Sequence, residues 1–248
     1  SGRIAPMVSS PRPATTAAAI AAVVTALALV LRVVWPTHVD WEGDFALHTL
    51  RAVELARGER LDLLVGFQTT SGAHLPALFH HLLGAAAFLG AGPVGLTCLV
   101  AASNVVAVLL LVTAGRRAFG AVPAVVGGLL LAVGPVAVLR ARAIRNETLL
   151  VPLLVVLLLA LVRAWREPRS RAAGVALGTA ITMAQLHLSS LFVLVPASLP
   201  LGVALWRAPL RRSAPGLALG LGLAAPFLVH KLGGGFPRAR AVLTRGLK

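Results

Sequence analysis

The chain has 248 residues, 58% of them hydrophobic, with a mean hydropathy of +0.88 and only 12% charged. An ordinary soluble domain, which is about 25% charged, is excluded by this composition. The net charge of +15 comes almost wholly from arginines scattered over short polar connections, with neither an aromatic platform nor a nucleic-acid-binding motif, so no nucleic-acid partner is expected.

Long continuous apolar runs read as membrane helices, not as the alternating strands of a closed barrel. The first is Ala14–Val34. Arg3 and Arg12 flank it, and Ala26-Leu27-Ala28 resembles a signal-peptide cleavage site, but that site lies inside the run, so an uncleaved helix is expected. Directly after it comes "WEGDFALHTL". The chain has only eight acidic residues, and three of them, Asp40, Glu42 and Asp44, fall within five positions here. Asp44 opens a short helix running to Arg57 with Gly58 as its stop signal, and on it Asp44, His48 and Arg51 share one face. Asp44 reads equally well as an N-cap that satisfies free backbone amides.

The next apolar run, Leu75–Gly90, is only about 16 residues long, begins near Pro76 and carries His80-His81, whose adjacency turns the two rings apart and gives no metal-ligand spacing. Further runs are Pro93–Ala114, Ala121–Leu139, Leu149–Trp165, Ala172–Leu186, Ser190–Trp206 and Gly216–His230. If Leu75–Gly90 does not span and the N-terminus is cytoplasmic, Arg116, Arg117, Arg163, Arg166, Arg169, Arg171, Arg207, Arg211 and Arg212 all lie inside, against Arg140, Arg142 and Arg145 outside. If it spans, the ratio inverts. The positive-inside rule therefore favours an interfacial segment. The expected architecture is all-α: a polytopic helical membrane protein forming one transmembrane domain. It has about seven membrane helices, with a first helix at 13–34, an outer loop with interfacial helices at 35–91, six helices over 92–231 and an outer tail at 232–248.

On this topology the polar clusters share the outer face. Arg140, Arg142 and Arg145 with Glu147 oppose the positive-inside trend, which a bound anion such as a phosphate would reward; snorkelling to lipid headgroups is the plainer alternative. Gln185 and His187 end a membrane run, as helix–helix glue or as part of a pocket. Trp35, Trp41, Trp165 and Trp206 fall near span boundaries, the aromatic-belt pattern. Gly174 with Gly178, and Gly216 with Gly220, have the spacing that lets helices approach closely. The single cysteine, Cys98, lies in an apolar run, and there is no phosphate loop or dinucleotide fingerprint.

Four stretches in order resemble the GT-C superfamily of integral-membrane glycosyltransferases, in particular the branch of protein O-mannosyltransferases and lipid A aminoarabinose transferases (glycosyltransferase family 39-like). They are "WEGDFALHTLRAVELARG", "HLPALFHHLLGAAAFLGAGP", "AGRRAFGAVPAVVGGLLLAVGPVAVLRARAIRNETLL" and "ALGTAITMAQLHLSS", covering about Ala14 to Leu205. The resemblance implies a polyprenyl-phosphate-linked sugar as donor, a protein, lipid or glycan as acceptor, and inverting transfer to a hydroxyl at the outer face. It places Asp44 at the catalytic carboxylate, with Glu42 as substitute. Counted back from Gly58, the acid pair of many relatives falls on Gly43 and Asp44, so one acid is lost. Glu147 takes the second acidic position. His187 falls near the lipid-phosphate contact, where several relatives have lysine. Arg140, Arg142, Arg145 and His48 complete the expected substrate and lipid-phosphate contacts. No cofactor is certain. A divalent cation, used by some relatives, would need Asp40, Glu42, Asp44 and Glu147 to converge.

An integral protein of the bacterial inner membrane, among membrane lipids, is expected. Relatives are longer and the chain begins without methionine, so an N-terminal fragment of a larger protein is expected as well. Two other readings stand beside transfer: a transporter or flippase of lipid-linked or anionic substrates, and a non-catalytic membrane assembly subunit.

Overall fold

A computed structural model describes residues 13–34, 43–59, 64–68 and 74–233. Every apolar run of the sequence is helical. In chain order the helices are α1 (Pro13–Val33), α2 (Asp44–Ala56), α3 (Leu78–Phe88), α4 (Pro93–Phe119), α5 (Ala121–Val133), α6 (Pro135–Ala141), α7 (Leu150–Arg166), α8 (Ala172–Leu186), α9 (Leu191–Arg207) and α10 (Leu210–Gly233). Short 3-10 turns at Asn146–Leu149 and Leu188–Ser190 lead into α7 and α9. Between α2 and α3 the backbone forms one short antiparallel pair, β1 (Leu64–Gln68) and β2 (His74–Pro76), the only departure from an all-helical chain among the described residues.

Four stretches, Thr15–Val33, Pro93–Phe119, Asn146–Arg166 and Leu210–Val229, are long and apolar enough to cross a membrane. The pair α5 and α6, bent by 62°, passes the same test only when the two are taken together, as a broken span or a re-entrant loop. The remaining two of the seven expected spans, α8 and α9, have 15 and 17 residues. That is short of the roughly 20 residues that a hydrocarbon core asks for, and matches the lengths of the two apolar runs, which extended and 3-10 backbone at His187–Ser190 separates. Helix α3, with 11 residues, is only about 16 Å long, which agrees with a non-spanning segment.

The helices alternate in direction, and this sorts the polar connections onto two ends. At one end Arg166 donates to the carbonyls of Arg117 (2.8 Å) and Ala118 (2.7 Å), Arg212 donates to the carbonyl of Arg169, and the Arg207 guanidinium lies 4.8 Å over the Trp165 ring. The arginine-rich connections 116–119, 163–171 and 207–212 are thereby gathered together. At the other end lie α2, α3, the 140–149 connection and the end of α8, sewn together by a buried apolar cluster of Phe45, Ala52, Phe79, Leu83, Leu96, Val100, Ile144 and Leu186. Trp165 and Trp206 are exposed, as an interfacial belt requires, while Trp35 and Trp41 lie outside the described residues.

The tightest helix contact is α8 against α10, made by the glycines that the sequence marks. A Cβ on Gly216 would stand 2.1 Å from the Gly174 carbonyl oxygen, and one on Gly178 would stand 2.4 Å from that of Gly216. Because the obstruction is backbone, no rotamer relieves it. Gly216→Val is expected to cost about 3 kcal/mol or more of stability, at or above the upper end of ordinary overpacking. Gly202→Ala, where a Cβ meets nothing within 4 Å, should hold or slightly raise the melting temperature. Thermal unfolding in detergent compares the two; equal melting temperatures would contradict the close packing.

Candidate functional site

Helix α2 starts at Asp44, but Gly43, with φ +54°, takes the N-cap position, so Asp44 is the first helical residue and not the cap. Its exposed carboxylate stands where the helix dipole favours negative charge. The helix stops where the sequence reading places it, with Arg57 at the C-cap and Gly58 at φ +70°. Its buried face is Phe45, His48, Thr49 and Ala52, turned onto α3, while Leu50 points outward and is 53% exposed. Arg51 pairs with Glu54 at 2.8 Å on the helix's own surface. Of the face shared by Asp44, His48 and Arg51, His48 alone goes fully inside.

What His48 meets there is His80. Nδ1 of His48 and Nε2 of His80 lie 2.8 Å apart, so one ring donates and the other accepts. Phe79 packs edge-on against both rings, at centroid distances of 5.2 and 5.6 Å. Burial is the main influence on His48 and pushes its pKa down; the carboxylates of Asp44 and Glu147 pull it up and the Arg145 guanidinium adds to the lowering. His80 is pushed down to about 3, by burial first and then by His48, His81 and Arg51. His48 is therefore the group on which the acid of α2 and the arginine–acid connection of α6–α7 both act.

That connection is built from inside. Ile144 is wholly buried in the apolar cluster, which fixes the residues on either side of it. Thr148 donates to the carbonyl of Ala143 at 3.1 Å or of Arg140 at 3.3 Å, and its own carbonyl accepts from Asn104 of α4 at 3.3 Å. Asn146 donates to the Leu186 carbonyl at 2.9 Å, tying the connection to the segment that carries His187. On this frame Glu147 receives Arg145 at 3.7 Å and Arg140 at 3.9 Å. Both guanidiniums are partly exposed and the pairs are long, worth little by themselves. Arg142 is half-buried beside them. His187 caps α8 in an extended conformation, its Nδ1 2.7 Å from the Ser189 hydroxyl and 3.1 Å from the Ser189 amide.

Asp44, His48, Arg140, Arg142, Arg145, Glu147 and His187 thus stand at one end of the bundle, and all but His187 are joined by direct contact, electrostatic influence or adjacency in one connection. Glu42 lies outside the described residues, as does Asp40. Among the described residues no group of three or more His, Cys, Asp and Glu side chains is arranged to hold a metal ion. The residues that the sequence reading passes over are Asn104, Asn146 and Thr148, while His80 is weighed there only as a metal ligand; all four are buried. A signal exists for them: a polar side chain in an apolar run costs free energy unless it is paired, so each implies a partner.

The His48–His80 pair has a pH signature. Both imidazoles are held below the ordinary value of 6.5 and so are neutral in the fold, while the unfolded chain takes up protons below 6.5. Their contribution to stability is complete above about pH 6.5 and is lost as pH falls toward about 3. The melting temperature in detergent should fall from pH 7 to pH 4, and His80→Leu should make that fall shallower. Parallel profiles would show that His80 is not the neutral buried group described.

The sequence matches the family described as dolichyl-phosphate-mannose-protein mannosyltransferase over residues 74–230, well over half of the chain. No curated protein and no solved structure matches it significantly. The match takes in α3 with His80, the arginine–acid connection and His187, and begins after Asp44 and His48. With its apolar helices, it makes the chain an integral membrane glycosyltransferase of the GT-C type. The chain belongs to the dolichyl-phosphate-mannose-protein mannosyltransferase family.

Proposed function

We propose that the protein transfers a sugar from a polyprenyl-phosphate donor to a hydroxyl of a protein, lipid or glycan acceptor, at the membrane face that bears Asp44. The N-terminus and the arginine-rich end then lie in the cytoplasm of a bacterial cell, and the site opens on the outer side of the inner membrane. The observation that carries the reading is that, in a chain of the mannosyltransferase family, Asp44 and the paired Arg145 and Glu147 stand at the same end of the bundle as the buried His48–His80 pair.

In this reading Asp44, exposed at the start of α2, takes the proton from the acceptor hydroxyl as its oxygen attacks the anomeric carbon. The bond from that carbon to the lipid phosphate breaks, and because attack comes from the opposite side the configuration inverts. Glu42 is the alternative base. Negative charge collects on the departing phosphate, where preoriented cations are most effective. Arg140 and Arg145 hold Glu147 only loosely, at 3.9 and 3.7 Å, so their donors remain available to a second anion. Arg142 and His187 complete the phosphate-facing set, and His48, fixed by His80, sets the field around the base.

Asp44→Asn keeps the helix N-terminus and removes the base. Turnover of a polyprenyl-phosphate sugar by the purified protein should fall by about 10²- to 10⁴-fold with the melting temperature unchanged. Arg145→Gln, by contrast, should act chiefly on donor KM and on the rate of phosphate departure. A wild type inactive toward a panel of lipid-linked sugars, or a folded Asp44→Asn as active as wild type, would overturn the reading.

A further inference from the structure

Arg32, the last residue but one of α1, is a charged side chain with no exposed surface at all. Ala28 and Ala132, which it touches, belong to a buried apolar cluster of α1, α4 and α5, and Leu131 packs against that cluster. What it touches is backbone. Nη1 donates to the Ala132 carbonyl at 2.8 Å and to its own helix at Ala28 at 3.3 Å, while Nη2 donates to the Leu131 carbonyl at 2.5 Å.

The Leu131 and Ala132 carbonyls are ones that the α5–α6 break leaves without intrahelical donors. The ladder of α5 ends with the Gly134 amide on the Leu130 carbonyl at 2.9 Å. In a continuous helix the next donor, onto Leu131, would be the amide of residue 135, and that residue is proline, which has none. Gly134, at φ −56° and ψ 121°, leaves the helical conformation and starts α6 on an axis 62° away. In a hydrocarbon environment unpaired carbonyls are costly, and here a guanidinium from another helix replaces the missing amides.

The bend has a consequence for the site. Helix α6 is only seven residues long, Pro135–Ala141, and carries Arg140 in its last turn; the Thr148 hydroxyl, 3.3 Å from the Arg140 carbonyl and 3.1 Å from that of Ala143, ties its end to the turn that presents Glu147. The direction in which α6 leaves α5 therefore decides where Arg140, Arg142 and Arg145 stand.

We propose that Arg32 is a positioning residue of the transferase site: by capping the broken α5–α6 span it fixes the bend that carries the arginine connection to Glu147. The link to transfer rests on the function proposed above, whereas the control of the bend does not. Arg32 touches none of the groups assigned to the reaction and acts only through the bend.

Pro135→Ala gives the test its leverage, because alanine restores the backbone donor for Leu131 and permits a straight helix. Nitroxide labels at positions 46 and 139, both exposed, in a full-length Cys98→Ser background in nanodiscs, read the placement of α6 against α2 by pulsed spin–spin distance measurement. Arg32→Met should broaden the distance distribution and lower the melting temperature. Adding Pro135→Ala should return the melting temperature toward that of wild type yet leave the distance shifted and donor KM raised at least 10-fold. Pro135→Ala alone, with Arg32 present, should keep the wild-type distance, which covers the case in which Arg32→Met does not fold. The proposal is overturned if Arg32→Met keeps the wild-type distribution, if the double variant recovers distance and KM together with stability, or if Pro135→Ala alone straightens the span. A wild type that turns over no lipid-linked sugar would overturn the proposed function and leave the distance result to decide the role of Arg32.

Discussion

Ile144 has no exposed surface, and its neighbours in the cluster are Phe45, Phe79, Leu96, Val100 and Leu186, residues that come from α2, α3, α4 and α8. This apolar contact is the constraint on which the rest of the site end depends. The ion pairs above it add little to that: the Arg140 and Arg145 pairs with Glu147 are long and partly exposed. Such pairs have energies near thermal noise, whereas full burial of an isoleucine is worth about 1.5–3 kcal/mol. Apolar burial thus supplies the position, and the charges, left loosely engaged, are the part available to a ligand.

A second layer of the same logic is the treatment of backbone. At three interruptions of the helical ladder a side chain supplies a backbone partner. Arg32 serves Leu131 and Ala132 at the α5–α6 break, Asn146 serves Leu186 at the end of α8, and Asn104 serves Thr148 before α7. Lipid offers no water to do this, so each irregular backbone segment at the site end has a dedicated polar side chain facing it. These breaks are what place Arg140 and His187 at that end of the bundle, since an unbroken helix would carry each onward along its own axis.

The two ends of the molecule use arginine for different purposes. At one end Arg166 and Arg212 bond carbonyls of neighbouring connections, and Arg207 lies over Trp165. These arginines close helix ends and suit a headgroup layer. At the other end Arg140, Arg142 and Arg145 surround a lone glutamate beside buried histidines. Under the function proposed above, the second arrangement has a chemical sense, because a leaving lipid phosphate would need cations where it departs.

Hydropathy and punctuation by themselves determined the helical membrane class and the end of α2 at Gly58, and they marked the glycines that meet between α8 and α10. All of these are local or periodic properties: an apolar run lengthens a helix, a glycine stops one, and each crossing reverses the chain. Tertiary structure alone decided the rest. It turned His48 inward onto His80, 32 positions away, gave the N-cap to Gly43, and paired Arg32 with carbonyls about 100 positions on. A buried polar residue announces in the sequence that it needs a partner, but which partner depends on how helices far apart in the chain are packed, and no local pattern encodes that.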